Sequence, residues 1–273
     1  MKNFLLISVL LLSISIYAGM KFNKSNRILR VGSECDYAPH NWEERRSTNS
    51  NVALANIEGS YAEGYDIQIA KSVAKSIGAK LEVKKLAWDD LIPALNRREI
   101  DAIFSGMLDT SERRNLINFS DIYEVKKIEY GILVRKDGKF SNAKKLTDFS
   151  GAKFVGQEGT NLDSAIYQIP GAIRLDPVKT VQEMFKKILS GEADAIIVGS
   201  ETIDANVKAN PELTGIIFPP DRTFIFDYNG ICAGVRKSDA KLLREINGAL
   251  SDISPRERQR IMDRTIARDW NNI

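Results

Sequence analysis

The chain has 273 residues, 39 lysines and arginines against 36 aspartates and glutamates, two cysteines and one histidine, a length that supports one large domain or two lobes of about 100 residues each. The net charge is only +3, with no basic run interleaved with aromatics, which argues against a nucleic-acid surface. Cys35, Cys232 and His40 match no zinc or iron–sulfur spacing, so neither a structural metal nor a cofactor is expected.

The N-terminus has a short positive start at Met1-Lys2-Asn3, an apolar run from Phe4 to Ile16 and small residues at Ala18-Gly19. This is the pattern of a secretory signal peptide over 1–19, which places the mature protein outside the cytoplasm. The run is shorter than the roughly 18 residues of a membrane span; an uncleaved anchor is the alternative. No cysteine follows it directly, which removes the usual lipid attachment point.

Residues 28–33 form a buried-strand pattern, followed by a polar and aromatic turn at 34–42. His40 in that turn, beside Pro39 and without an obvious acidic partner, reads as a structural or rim residue. The polar stretch 43–60 reads as an irregular insertion more than as a lid. From 65 to 77, Ile67, Ile69, Ala70, Val73, Ala74 and Ile77 share a helical face, with Gly78 as its cap. A strand at 80–86, a helix at about 89–96 and a strand at 102–105 follow, an alternation that implies a parallel sheet flanked by helices.

The stretch 101–121 carries the main anomaly. A strand end runs into Gly106, Asp109 and Glu112 resemble a capping box, and Arg113 and Arg114 follow in the first helical turn. Cations there oppose the helix dipole by roughly a few tenths of a kcal/mol. Arg114 reads as a solvated surface side chain. Arg113 lies where a strand end, a glycine and free helical N–H groups converge, a place suited to an anion.

A β-rich run at 128–136 and a lysine-rich connector lead to a second alternation. It comprises a strand at 152–157, a helix from about 160, a strand at 172–175, a helix at 178–190 and a strand at 193–198. Residues 101–106 (DAIFSG) echo 194–199 (DAIIVG) at the same step of each series, which suggests two lobes of similar build. A further strand at 230–236 precedes helical patterns at 239–251 and 255–269. Ligands of open α/β sheets bind beyond the carboxyl ends of the strands, so two facing lobes make a cleft.

Four places lie at such strand ends: Glu34 with Tyr37, Trp88, the segment Ser105-Gly106-Met107-Leu108 with Arg113, and the glycine turn from Gln157 to Thr160 and Asn161. Tyr37 and Trp88 suit an aromatic slot, and Glu34 a cationic or amide group. Together they describe a site for a small zwitterion, its carboxylate at Arg113 and its side chain between the rings. No G-x-S-x-G elbow, Walker loop, dinucleotide fingerprint or H-E-x-x-H is present, so no enzyme activity is expected. The two cysteines are either a disulfide or two buried thiols.

In the segments 29–39, 64–82, 88–123 and 234–250 the chain resembles the extracytoplasmic solute-binding proteins of polar amino-acid ABC importers. The resemblance covers about 28–270, and its most specific part is WDDLIPALNRREIDAIFSGMLDTSERRNLINFSDIY. It implies a two-lobed α/β periplasmic-binding-protein fold of type II with two hinge strands: lobe 1 from 28–122 plus 231–273, lobe 2 from 128–226, hinges near 123–127 and 227–230. It further implies that Arg113 takes the ligand carboxylate, with amides at Gly106, Leu108, Thr160 or Asn161. Tyr37 and Trp88 sandwich the ligand and Glu34 meets its side chain. By this resemblance the chain departs from the family at Leu108, which lacks a hydroxyl, and at Gly199, where an acid for the α-ammonium is usual; Glu201 two residues on is a substitute, with Ser200, Glu34 or water as the alternatives. The implied function is a monomer that delivers an amino acid to a membrane ABC permease. Alternatives are a secreted enzyme on this scaffold, such as a cyclohexadienyl dehydratase acting on prephenate or arogenate, and a ligand sensor.

Overall fold

The computed structural model describes residues 27–124, 129–219, 223–226, 228 and 230–267. The expected signal peptide at 1–19 and parts of both expected hinges, including 125–127, lie outside the described residues.

In chain order the first elements are strands β1 (Ile28–Ser33), β2 (Asp36–Tyr37), β3 (Asn41–Glu44), β4 (Val52–Ala53) and β5 (Tyr61–Glu63), then helix α1 (Tyr65–Ser76), β6 (Lys80–Lys85), α2 (Leu91–Asn96), β7 (Ala102–Ile103), α3 (Ser111–Arg114) and β8 (Asn118–Ile122). The second series is β9 (Tyr130–Arg135), β10 (Lys153–Phe154), α4 (Asn161–Ala165), β11 (Ile173–Arg174), α5 (Val181–Ser190), β12 (Ala195–Gly199), α6 (Ser200–Ala209) and β13 (Leu213–Ile217). The chain closes with β14 (Cys232–Val235), α7 (Ala240–Ser251) and α8 (Pro255–Ile266).

Two five-stranded sheets result, ordered β6-β1-β7-β14-β8 and β11-β10-β12-β9-β13. Neither is purely parallel, in contrast to the expectation from the β/α alternation. β1 pairs in parallel with β6 and β7, but β14 returns antiparallel to both β7 and β8. In the second sheet β10 is parallel to β11 and β12, whereas β9 runs antiparallel to β12 and β13. The architecture is the two-lobed α/β fold of type II binding proteins.

Helix α1 shows how the pattern becomes packing. Ile67, Ile69, Ala70, Val73 and Ala74 are buried on one face, and fully covering a Val or Ile side chain contributes about 1.5–3 kcal/mol. Gly78 ends it with φ of 67°, a left-handed conformation that glycine takes without steric cost. Helix α5 begins at Val181, later than expected, because Thr180 caps it by accepting from Glu183 N while Glu183 returns the bond.

The stretch expected to be irregular, 43–60, instead contributes to a small antiparallel sheet, β2-β3-β5-β4. It is anchored by buried Leu54, which bridges to Val83 of β6. Its polar residues Arg45, Arg46 and Ser47 remain exposed, so composition recorded the loop tip and not the strands beneath it.

Candidate functional site

The carboxyl ends of β1 and β7 are tied to each other where Glu34 N donates to Ser105 Oγ at 2.9 Å. Glu34 is only 4% exposed. Burial first, and the neighbouring negative charge of Asp36 second, push its carboxyl up to about 8, against the opposing hydrogen bond from Gln157. Gln157 Nε2 donates to Glu34 Oε1 and to the main-chain oxygen of Lys179.

Arg113 sits on α3, which is a single turn. Its N-cap is Thr110, accepting from Arg113 N at 3.3 Å, so the expected Asp109–Glu112 capping pair does not form. Asp109 instead receives both Nε and Nη2 of Arg114 at 2.6 and 2.7 Å. Arg114 is thus held in a bidentate ion pair while its side chain stays exposed at the surface, as expected. In a one-turn helix both arginines stand in the last turn as much as in the first, so the opposition to a helix dipole falls away. What marks Arg113 is its surroundings. Nη1 donates to Leu108 O at 3.0 Å, Nη2 to Gly159 O at 3.4 Å, and the guanidinium lies 5.1 Å from the centroid of Trp88. Desolvation lowers its pKa.

These groups surround a cavity of about 40 Å³. Glu34, Tyr37, Trp88, Ser105, Gly106, Leu108 and Arg113 line it from one lobe, and Gln157, Thr160 and Asn161 from the other. Asn161 Nδ2, in the same lining, is buried without a hydrogen-bond partner among the described residues. Trp88, Arg113, Thr160 and Asn161 also line an adjoining groove of about 870 Å³, so the arginine stands between the inner cavity and this larger space.

Gly199 and Glu201 do not line the cavity. The ring of Tyr37 reaches across and packs against the core of the second lobe, its hydroxyl facing Gly199 and Thr202. Glu201 accepts from Ser200 Oγ at 3.1 Å. Tyr37 is thus a bridge between lobes as well as a wall. Behind it His40 is 2% exposed and stacks at 5.0 Å; it is a buried structural residue and not a rim residue. Burial lowers its pKa, with Asp66 opposing. The Gly106 amide serves the buried Asp66, which also accepts from Asn41 Nδ2 at 2.7 Å and Tyr123 Oη at 2.8 Å.

Four further lining residues were not anticipated: Tyr130, Leu162, Val181 and Ile231. Tyr130 begins β9, which pairs antiparallel with β12 so that Tyr130 lies opposite Gly199. Ile231 lies opposite Leu108 in an antiparallel bridge. Both sit at the site because the start of an antiparallel strand lies beside the carboxyl end of its neighbour. Cys35 and Cys232 are free and buried, with both thiols pushed up to about 12 mainly by burial. No cluster of metal-ligating side chains occurs among the described residues.

The arginine-binding extracellular protein ArtP of Bacillus subtilis is 26% identical over 227 residues, covering 82% of this chain and 80% of the relative. The glutamine-binding protein GlnH of the same organism is 30% identical over 204 residues, covering 72% and 70%. Among solved structures, an ancestral amino-acid-binding protein described as a precursor of cyclohexadienyl dehydratase superposes with a TM-score of 0.71 at 27% identity, over 88% of this chain and 95% of its own. The sequence profile of the bacterial extracellular solute-binding proteins, family 3, matches residues 29–266. The chain is a member of that family.

Proposed function

We propose that the protein is the binding component of an ABC importer, closing on a polar or cationic amino acid and presenting it to a membrane permease. The observation that carries this reading is the state of Arg113: a desolvated guanidinium, backed by Trp88, whose partners are main-chain carbonyls. A carboxylate is the ligand group that satisfies such a fork, through paired charge-assisted hydrogen bonds. Glu34 and Gln157 stand ready for the polar end. A ligand touching both lobes favours the closed form through its differential contacts. The reading includes lobes at 28–122 plus 231–273 and at 128–226, secretion through the N-terminal segment, and action as a monomer. Isothermal titration with a panel of amino acids tests it: at least one should bind tighter than about millimolar, and failure of all of them overturns it.

A second reading, an enzyme on this scaffold, is favoured by one observation. Glu34, with its carboxyl at about 8, is protonated at neutral pH and placed to donate a proton. Turnover of prephenate or arogenate tests it; no product from either rejects it.

A further inference from the structure

Asp36 stands between Glu34 and Tyr37, both of which line the inner cavity, yet it does not line the cavity itself. Only 8% exposed, it crosses from β2 of the first lobe to the N-terminus of α5 in the second. Oδ2 accepts from Gln182 N at 3.1 Å, and the Val181 amide and the Thr180 hydroxyl are turned toward the same carboxylate. The first N–H groups of a helix have no partner within its backbone ladder. In α5 the capping box takes those within its reach. Glu183 Oε2 accepts from Lys179 N at 2.9 Å and Thr180 N at 3.0 Å, and Thr180 Oγ accepts from Glu183 N at 3.2 Å. That leaves Val181 and Gln182, and the acceptor for them comes from the other lobe. Thr180, whose hydroxyl oxygen is used by Glu183 N, keeps its one O–H to donate to Asp36. A carboxylate at this end of a helix is favoured by the dipole and by charge-assisted hydrogen bonds, and both contributions end when the lobes part.

Resting on the reading of this protein as one that closes on its ligand, we propose that Asp36 is a positioning residue for closure: its docking on the α5 N-terminus is a latch that holds the lobes together and sets how long a ligand stays. The latch acts from outside the cavity lining. Because the contact belongs to the closed form with or without ligand inside, its loss is read as faster opening.

The test begins with site-resolved amide hydrogen exchange in the ligand-free mature protein. Asp36→Ala should speed exchange at Val181 and Gln182 by about tenfold or more, with Ile188 in the last turn of the same helix and Ile197 of β12 unchanged. Asp36→Asn, which keeps an acceptor oxygen and loses the charge, should fall between. Stopped-flow release of whichever of arginine, glutamine and histidine binds tightest should be about tenfold faster in Asp36→Ala, with association no slower. Unchanged exchange at Val181 and Gln182, equal acceleration throughout α5, or unchanged release overturns the latch and leaves the amino-acid reading intact. Failure of every amino acid to bind overturns that reading, while the exchange result still decides the latch.

Discussion

Gln157 donates its side-chain amide to Glu34 across the cleft, an intramolecular contact that occupies the carboxyl assigned to the ligand. It is one of several contacts joining the two sides: Trp88 Nε1 donates to Gly159 O at 3.2 Å, and Asp36 accepts from Gln182 N at the first turn of α5. The remaining inner cavity is about 40 Å³, far smaller than the adjoining groove of about 870 Å³. On the proposed reading, an amino acid reaches Glu34 only when the lobes part and Gln157 leaves it.

Gln157→Ala should shift the unliganded protein toward an open form, because loss of the hydrogen bond costs the closed state about 1–3 kcal/mol. Small-angle scattering without ligand reads this as an increase in radius of gyration over wild type. An unchanged radius shows that the contact does not hold the cleft.

Arg113→Ala should weaken ligand binding by about 2–4 kcal/mol, or roughly 30- to 1000-fold, as expected for one partner of a desolvated charge pair. Arg113→Lys should recover only part, since it keeps the charge and loses the fork. Thermal unfolding of the unliganded variants should stay near wild type, since the desolvated guanidinium is held by two carbonyls and the face of Trp88 and by no ion pair among the described residues.

Affinity for a cation-bearing ligand should rise with pH between about 6 and 8. Glu34 in the closed unliganded form titrates at about 8 instead of 4.5, and a cation placed on it favours the charged form. Binding then releases a proton below that pH, so affinity climbs toward about tenfold per unit and flattens above it. The same shift gives folded protein a proton that the unfolded chain has lost, so the unliganded closed form loses stability as pH rises from 4.5 through 8. Titration calorimetry at several pH values, in buffers of different ionisation enthalpy, measures both the slope and the proton. Glu34→Gln should abolish the slope; a slope that persists assigns it to another group.

Gly159→Ala should weaken binding by about 1–3 kcal/mol while leaving each lobe folded. Its φ is 71°, and a Cβ there would stand 2.6 Å from Asp89 Oδ1 on the opposite side of the cleft. The strained φ is present in the open and closed forms alike, and Asp89 Oδ1 is the end of a side chain that can swing aside, so the turn itself carries most of the cost and thermal unfolding of the unliganded variant should show it too. Affinity and the scattering profile with saturating ligand report it; a variant that closes and binds like wild type contradicts this.

The alternation of strands and helices, the helical face of α1 and the position of Arg113 were legible in the sequence because each is a local pattern with a fixed period or a strand-end rule. Tyr130 and Ile231 were not. Their strands run antiparallel, so a search confined to residues after strands passed over residues that begin them. The reading of α3 also needed coordinates: whether Asp109 caps a helix or pairs with Arg114 depends on a start that shifts by one residue, and Thr110 competes for the same N–H groups. At Gly199 the chain's departure from its family was visible, but the insertion of Tyr37 from the other lobe into that corner is a tertiary contact with no local signature.

The most direct measurement is a crystal structure of the mature protein with its tightest-binding amino acid or analogue. The account predicts the ligand carboxylate within about 3 Å of the Arg113 guanidinium and its polar or cationic group on Glu34 in place of the Gln157 amide. A ligand held elsewhere, or bound in the cleft with its carboxylate away from Arg113, contradicts it.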